Sequence, residues 1–370
     1  MAEPAAFSPL RVIGTISGTS MDAIDIAVVE TDGDGFVRPL GGAAYPYPAD
    51  LRADLQAVIA DPARAEQDPL PEIEARVTTA FAEAIRRFMA ETGLTAGSVD
   101  LVGLHGQTIF HRPERRLTRQ LGDGASLAHT LGIPVVNRFR HADVAAGGQG
   151  APLVPLYHAA LARTLAAPLI VLNLGGVANI TYLDGEMIIA CDTGPASALI
   201  DDAMLRHFGR PFDEDGAVAA AGRVDAGTLA TLMANPFFAL PPPKSLDRND
   251  FHARAAIVDA LAPADQIATL TAFTVAATAA ILRHLPKAPA RWLVTGGGRH
   301  NGAMMAGFSD ALGVPVEPVE AVGWNGDLLE AECFAYLAVR SRRGLPLSLP
   351  TTTGVSQPMP GGDFWPAFRA

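Results

Sequence analysis

Two apolar, β-branched stretches, Ile13 to Ile16 and Ile24 to Val29, flank the polar turn Ser17-Gly18-Thr19-Ser20-Met21-Asp22. Short β-branched runs bounded by turn residues predict strand, tight turn, strand. Residues 11–47 predict a three-stranded meander. Helices follow near 50–60 and 71–92. The second carries Ile73, Val77, Phe81, Ala84, Ile85 and Phe88 at helical spacing, which predicts one buried face. Asp100 to Leu104 predicts a short buried strand that leads into His105-Gly106-Gln107-Thr108. A helix near 124–132 and a strand at 134–137 complete this half. The Gly- and Ala-rich segment Phe139 to Pro152 resembles a hinge or active-site loop.

The second half repeats the plan. Leu169 to Leu174 and Val177 to Leu183 predict strands around the turn Gly175-Gly176, as around Gly18. A third strand, Met187 to Cys191, ends at Asp192-Thr193-Gly194-Pro195. Pro195 suits the first turn of a helix running to about His207. Later come a strand at Arg291 to Val294, the turn Gly296-Gly297-Gly298, and helices near 300–312 and 327–341. Two halves that each open on a hairpin able to hold phosphate predict a duplicated, two-domain α/β fold with a cleft between. The expected division is residues 1–140 and 141–370, the C-terminal helix being free to pack back on the first domain.

A length of 370 residues agrees with two domains. The net charge of −11 argues against a nucleic-acid surface. Any anionic substrate must therefore meet locally concentrated positive charge, backbone amides or metal. The two cysteines, Cys191 and Cys333, support neither a disulfide framework nor a thiolate metal site. No basic-then-apolar leader opens the chain, and the apolar stretch Ala268 to Leu282 carries threonines and is short for a bilayer. A cytoplasmic protein with no membrane partner is expected.

GxxxxGK[ST] is absent, which excludes a P-loop. Gly18 instead lets backbone amides approach phosphate oxygens, and Asp22 and Asp25 can reach a hydrated magnesium ion. A plain Ser/Thr-rich hairpin turn explains this segment about as well. His105 and Gln107, after a buried strand, can donate to sugar hydroxyls or a carboxylate; a satisfied strand-end histidine is the bland alternative. Asp192, after another strand, is a natural general base or, equally, a helix cap. Cys191 reads as a buried strand residue, because nothing nearby in sequence activates it. Gly296 to Gly298 permits close approach of a nucleotide, or is a flexible turn. Glu330 closes Asp327-Leu328-Leu329-Glu330, the spacing of a capping box, and a structural cap is its stronger reading. Lys244, in the proline-rich loop Pro241 to Ser245, reads as a solvated loop lysine.

Taken together, these segments resemble the anhydro-N-acetylmuramic acid kinase family. The resemblance is carried by SGTSMD at 17–22, HGQT at 105–108, QLGD at 120–123, AAGGQGAPLVP at 145–155, NLGGVANI at 173–180, DTGP at 192–195, PPKS at 242–245 and TGGG at 295–298. Each is weak alone, but their joint order is specific and spans nearly the whole chain. The resemblance implies an acetate/sugar-kinase, actin/hexokinase/Hsp70-like fold and a double reaction on 1,6-anhydro-N-acetylmuramic acid from cell-wall turnover. Water opens the anhydro ring, O6 takes the γ-phosphoryl group of ATP, and N-acetylmuramic acid 6-phosphate results. By the same resemblance Asp192 activates the water. Gly18, Thr19, Ser20, Met21, Asp22, Ala23, Ile24 and Asp25 hold ATP phosphates, with Asn173, Gly175, Gly176, Gly296, Gly297 and Gly298 as further nucleotide contacts. Asp22 serves Mg2+. His105, Gly106, Gln107, Thr108, Arg140 and Glu330 line the sugar site. A homodimer is left open.

Three positions depart from the family pattern. Ala23 stands where Gly is frequent, Arg138 where an acidic or polar residue is expected, and Ala196-Ser197 where Gly-Asn is common. The alternatives are a related kinase acting on another anhydrosugar or amino sugar, and a nucleotide-binding homologue without catalysis.

Overall fold

In a computed structural model of the chain, residues 7–18, 21–246 and 251–367 are described. They form two compact units, Met1–Arg163 with Leu328–Ala370, and Thr164–Asp327. The division therefore falls after Arg163 and again before Leu328, not between residues 140 and 141. Side chains account for the shift. Asp143 bonds Ser348 and Thr353, and Tyr157 Oη donates to Glu332 Oε2 at 2.8 Å. These bonds tie residues 141–163 to the chain's C-terminal part.

The first unit opens with β1 (Leu10–Ser17), β2 (Ala23–Thr31) and β3 (Val37–Pro46), the expected meander. It continues with β4 (Leu101–Arg112), β5 (Leu117–Leu121) and β6 (Val135–Asn137). The second unit holds β7 (Leu169–Leu174), β8 (Val177–Asp184), β9 (Met187–Pro195), β10 (Arg291–Thr295) and β11 (Val316–Pro318). Near the end of the chain, β12 (Asp363–Trp365) returns to the first sheet beside β6.

The two sheets share one plan. The first runs β3-β2-β1-β4-β6, with β12 outside β6 and β5 hanging from β4. The second runs β9-β8-β7-β10-β11. In both, the first three strands pair antiparallel and the fourth and fifth add in parallel. The duplicated, actin-like α/β architecture is thus present at the level of strand order and direction. On the first sheet packs the helix Pro71–Thr92, with Ile73, Val77, Phe81, Ala84, Ile85 and Phe88 all buried.

Two strands run further than the pattern predicts. β4 does not stop at Leu104 but carries His105 to Thr108 within it, because β5 pairs antiparallel with its second half. β9 likewise continues through Asp192 to Pro195, where Pro195 pairs with Val177. β9 is an edge strand, so the missing amide hydrogen of Pro195 is tolerated there. The following helix begins at Ser197, with Ala196 at its N-cap. The apolar stretch near 268–282 belongs to a longer helical run, Pro263–His284, long and apolar enough to cross a membrane. It is instead mostly buried within the second unit, with Ile267, Leu270 and Phe273 in the core.

The helix Leu329–Arg342 packs against β1, β2 and β4. Its backbone lies almost on the sheet. A Cβ built on Gly14 would meet Ala331 O at 2.0 Å, and one on Gly103 would meet Phe334 O at 2.1 Å. Neither backbone neighbour can retreat without moving the helix. Gly14→Ala should therefore destabilise the first unit by about 3 kcal/mol or more, through overpacking. Gly227→Ala, in an open part of the helix Ala226–Met233, should be neutral or stabilising by up to about 1 kcal/mol. Urea denaturation of both variants checks this; equal stabilities would mean the helix is not seated as described.

Candidate functional site

In the first unit, the β1–β2 turn is closed by Met21 N donating to Gly18 O at 3.2 Å. Met21 adopts φ 55° and buries its side chain, as does Ile24. Only the backbones of these two residues can therefore face a phosphate. Ala23 and Asp25 are ladder residues, opposite Pro46 and Ile16. Thr19 and Ser20 lie outside the described residues. Asp22 is exposed and forms an ion pair with Arg52.

β4 meets this turn. Gln107 sits opposite Ser17, and its Nε2 donates to Gly18 O at 3.4 Å and Thr108 O at 3.1 Å. Its Oε1 is buried without a partner among the described residues. A buried amide oxygen beside this turn is an acceptor awaiting a donor. Gly106 makes the bend. Its φ is 76°, and a Cβ there would strike Leu121 O at 2.3 Å. The register with β1 shifts at this point, and such a bulge re-aims the flanking side chains. Thr108 Oγ1 accepts from Gln120 Nε2 at 3.3 Å.

His105 is buried, with Nδ1 2.9 Å from Gly106 O and Nε2 3.0 Å from Arg140 Nε. The partners fix the tautomer. An arginine can only donate, so Nε2 accepts; a carbonyl can only accept, so Nδ1 carries the hydrogen. Burial first, and then the Arg140 charge, hold its pKa well below the usual imidazole value. His105 is therefore a neutral, oriented ring. Phe334 stacks against it, with centroids 4.5 Å apart. Arg140 also donates from Nη1 to Gly150 O at 2.7 Å. Burial lowers the Arg140 pKa, and the charge of Glu330 opposes that. Glu330 is reachable by solvent, yet crowding by protein atoms raises its pKa, with Arg140 pulling the other way. The capping-box reading of Glu330 fails: the helix starts with Leu328 at its N-cap and no side-chain cap. Asp327 bonds Arg299 instead.

In the second unit, Asp192 lies opposite Asn179 on the edge strand β9. The segment following Pro243 covers that edge. Asp192 N donates to Lys244 O at 3.0 Å, and Leu246 N donates to Asp192 Oδ2 at 2.7 Å. Burial raises the Asp192 pKa to about 7, against the smaller opposing effects of the Leu246 amide and the Lys244 charge. Lys244 is not a solvated loop lysine. It is half-buried, donates to Phe237 O at 3.0 Å and lies 4.4 Å over the Phe237 ring. Cys191 is buried and its thiol is pushed up to about 12, so it is no nucleophile.

The turn Gly175-Gly176 receives the start of the next helix: Ser197 N donates to Gly175 O and Ala196 N to Gly176 O, both at 3.0 Å. The turn Gly296-Gly298 is set against the end of β7. A Cβ on Gly296 would strike Asn173 Oδ1 at 2.4 Å, and one on Gly298 would strike Leu174 Cβ at 2.6 Å. Gly297 is exposed, and a Cβ there would meet nothing within 4 Å. Packing requires two of the glycines, and the third leaves room for a ligand to come close.

The donor set partly fits magnesium. Asp22 is an exposed carboxylate in the β1–β2 turn, suited to the ion's water shell, but Arg52 already holds one of its oxygens. No cluster of three or more acidic, histidine or cysteine ligands occurs among the described residues.

Sequence reasoning missed three groups. Asp143 is a buried hub that pins the Gly-rich loop, which is thus fastened at Gly150. Arg299 is buried and bonded to Gly296 O, Glu320 and Asp327, clamping the triple-glycine turn. Leu246 aims its amide at Asp192. Only Arg299 left a signal, as a basic residue directly after TGGG. Arg138, one of the departures, forms a surface ion pair with Asp363 at 2.9 Å.

A model of the family described as anhydro-N-acetylmuramic acid kinase matches residues 10–367. The chain is 54% identical to the anhydro-N-acetylmuramic acid kinase of Acidiphilium cryptum over 358 residues, 95% of this chain and 97% of that one. It is 52% identical to that of Rhizorhabdus wittichii over 364 residues, 95% and 98%. It is 51% identical to that of Nitrobacter winogradskyi over 363 residues, again 95% and 98%.

The Asp192 pKa has a consequence for stability. Its folded value, about 7, lies above its ordinary 3.8, so the folded state holds an extra proton between these values. The stabilisation from that proton is complete below about pH 4 and lost as pH rises through about 7. Asp192→Asn removes the titration. Its stability relative to wild type should therefore rise between pH 5 and pH 8 in urea denaturation. A difference independent of pH would place Asp192 in water.

Proposed function

The chain belongs to the anhydro-N-acetylmuramic acid kinase family and is a kinase, and we propose that it converts 1,6-anhydro-N-acetylmuramic acid, water and ATP to N-acetylmuramic acid 6-phosphate and ADP, with Asp192 as the general base. The observation that carries the role is the burial of Asp192 on an edge strand with a pKa near neutrality. A base must be ionised to accept a proton and basic enough to keep it, and a value near 7 balances the two.

Asp192 takes a proton from water as the water oxygen bonds to the anomeric carbon. The bond from that carbon to O6 breaks, and O6 bonds to the γ-phosphorus while the bond to the ADP oxygen breaks. The proton of Asp192 leaves to solvent. Neutral His105 has no nitrogen free to take a proton from water while Arg140 and Gly106 occupy both. Its part is to orient Arg140, whose cation with the Glu330 carboxylate offers the sugar a donor and an acceptor. Gln107 Oε1 supplies a second acceptor. The backbone at Gly18 and the open face of Gly297 suit the phosphates and the nucleotide. Magnesium supplies charge neutralisation on the phosphates when bound, and Asp22 would hold its waters after release from Arg52. ATP use and two buried free cysteines support action in the cytoplasm.

Mass spectrometry of the product made in ¹⁸O water tests the reaction. One heavy oxygen should appear on the sugar carbon C1 and none on the phosphate, after subtracting exchange into preformed product. Unlabelled sugar phosphate, or ATP hydrolysis without sugar phosphate, would refute it. Asp192→Asn should lower kcat by at least about 100-fold while leaving the Kd for ATP unchanged. In the wild type, kcat/KM should fall about tenfold per pH unit below pH 7, as Asp192 becomes protonated. A flat profile from pH 5 to 8 would assign the base elsewhere.

A further inference from the structure

Asp143 stands in the short helix His141–Ala145, three residues after Arg140, and is 2% exposed. Its Oδ1 accepts from Gly150 N at 2.6 Å. Its Oδ2 accepts from Thr353 Oγ1 at 2.6 Å and from Ser348 Oγ. The same C-terminal stretch grips the loop a second time, where Gln149 N donates to Thr353 O at 2.7 Å. Gly150 is thus held on both sides. Its N–H is fixed by Asp143, and its carbonyl receives Arg140 Nη1 at 2.7 Å. Arg140 in turn faces His105 through Nε. Nη2 of Arg140 has no acceptor among the described residues.

We propose that Asp143, clamped by Ser348 and Thr353, is the positioning residue that, together with His105, fixes Arg140 for the sugar. Asp143 itself touches no substrate. A long arginine side chain has several rotamers of similar energy, and ordering it on binding costs entropy. The Gly150 carbonyl removes that cost only if it stands still. A bare loop with φ 68° at Gly150 would not hold it there, and a carboxylate with three donors does. A buried carboxylate adds little net stability compared with an apolar filling, so position is what this one provides. The C-terminal residues Ser348 and Thr353 thereby become part of the sugar site without lining it.

This inference rests on the reading that Arg140 and His105 serve the sugar, and one set of assays separates the two. KM for 1,6-anhydro-N-acetylmuramic acid and for ATP are measured in full-length enzyme for Asp143→Asn, Thr353→Val, Thr353→Ser and Arg140→Lys, with thermal unfolding of each. Asp143→Asn and Thr353→Val should raise KM for the sugar about tenfold and change KM for ATP less than about twofold, while Thr353→Ser restores the wild-type value. In an Arg140→Lys background, Asp143→Asn should add less than about twofold, because both act on one contact. If Asp143→Asn does not fold, the Thr353 pair decides. Equal rises in both KM values, or a lowered Tm with both KM values unchanged, would overturn the inference while leaving Arg140 in place. An unchanged sugar KM in Arg140→Lys itself would instead remove Arg140 from the sugar site, and the inference with it.

Discussion

The seating of the helix Leu329–Arg342 on the glycine faces of β1 and β4 is the contact on which the first unit depends. Van der Waals attraction needs close approach, and here helix backbone meets strand backbone with only Gly14 and Gly103 between. The small residues Ala331, Ala335 and Ala338 complete the fit from the helix side. Seated so low, the helix brings its first turns level with the bulge in β4. Phe334 then stacks on His105, and Glu330 comes within electrostatic reach of Arg140. At its other end, Arg340 donates to Gly33 O at 2.9 Å and to Pro346 O at 2.6 Å, fixing the β2–β3 turn and the exit of the chain. A larger residue at Gly14 or Gly103 would lift the helix and with it one wall of the proposed sugar site.

The two sheets share strand order, yet their chemistry differs because different strands overrun the plan. In the first, β4 is central, and a bulge at Gly106 lets it turn away from β1 towards β5. The polar side chains there are enclosed, and His105 is satisfied on both nitrogens. In the second, β9 is at the edge, and residues 244–246 close over Asp192. Burial pushes both groups towards their neutral forms, down for the imidazole and up for the carboxyl. The difference lies in what remains available. Asp192 Oδ2 receives one amide while Oδ1 has no hydrogen bond among the described residues, as the proposed role of base requires. His105 has nothing left to give.

Periodicity did not reveal the short strands Leu117–Leu121, Val316–Pro318 and Asp363–Trp365, but it did reveal the long helices and nine of the twelve strands among the described residues, because one-sided burial imposes it. The six apolar positions of the helix Pro71–Thr92 and the two meanders are examples. Strand ends were less legible. Nothing local shows that Leu117 to Leu121 will pair with residues 107–112 and so carry β4 past Leu104, since that pairing is decided between segments. The capping-box spacing at Asp327 to Glu330 misled for a similar reason: a buried guanidinium, Arg299, recruits Asp327 more strongly than a helix end would. Lys244 read as solvated because an aromatic face seven residues away cannot be seen from its own loop. Asp143 was invisible, since its two side-chain donors, Ser348 and Thr353, arrive from more than 200 residues later.

The triple glycine shows how structure divides what sequence must treat as one motif. Gly296 and Gly298 are explained without any ligand, because a Cβ on either would run into the end of β7. They are the reason the turn can lie against Asn173 and Leu174. Arg299, bonded back to Gly296 O, then keeps the turn from opening. Gly297 has no such explanation: its surroundings are open, and its φ is not in the left-handed region. Glycine there weakens the chain in the unfolded-to-folded balance without a compensating contact inside the protein. Of the three, it is the one whose small size no contact inside the protein explains, which is why the proposed approach of a nucleotide is assigned to that backbone.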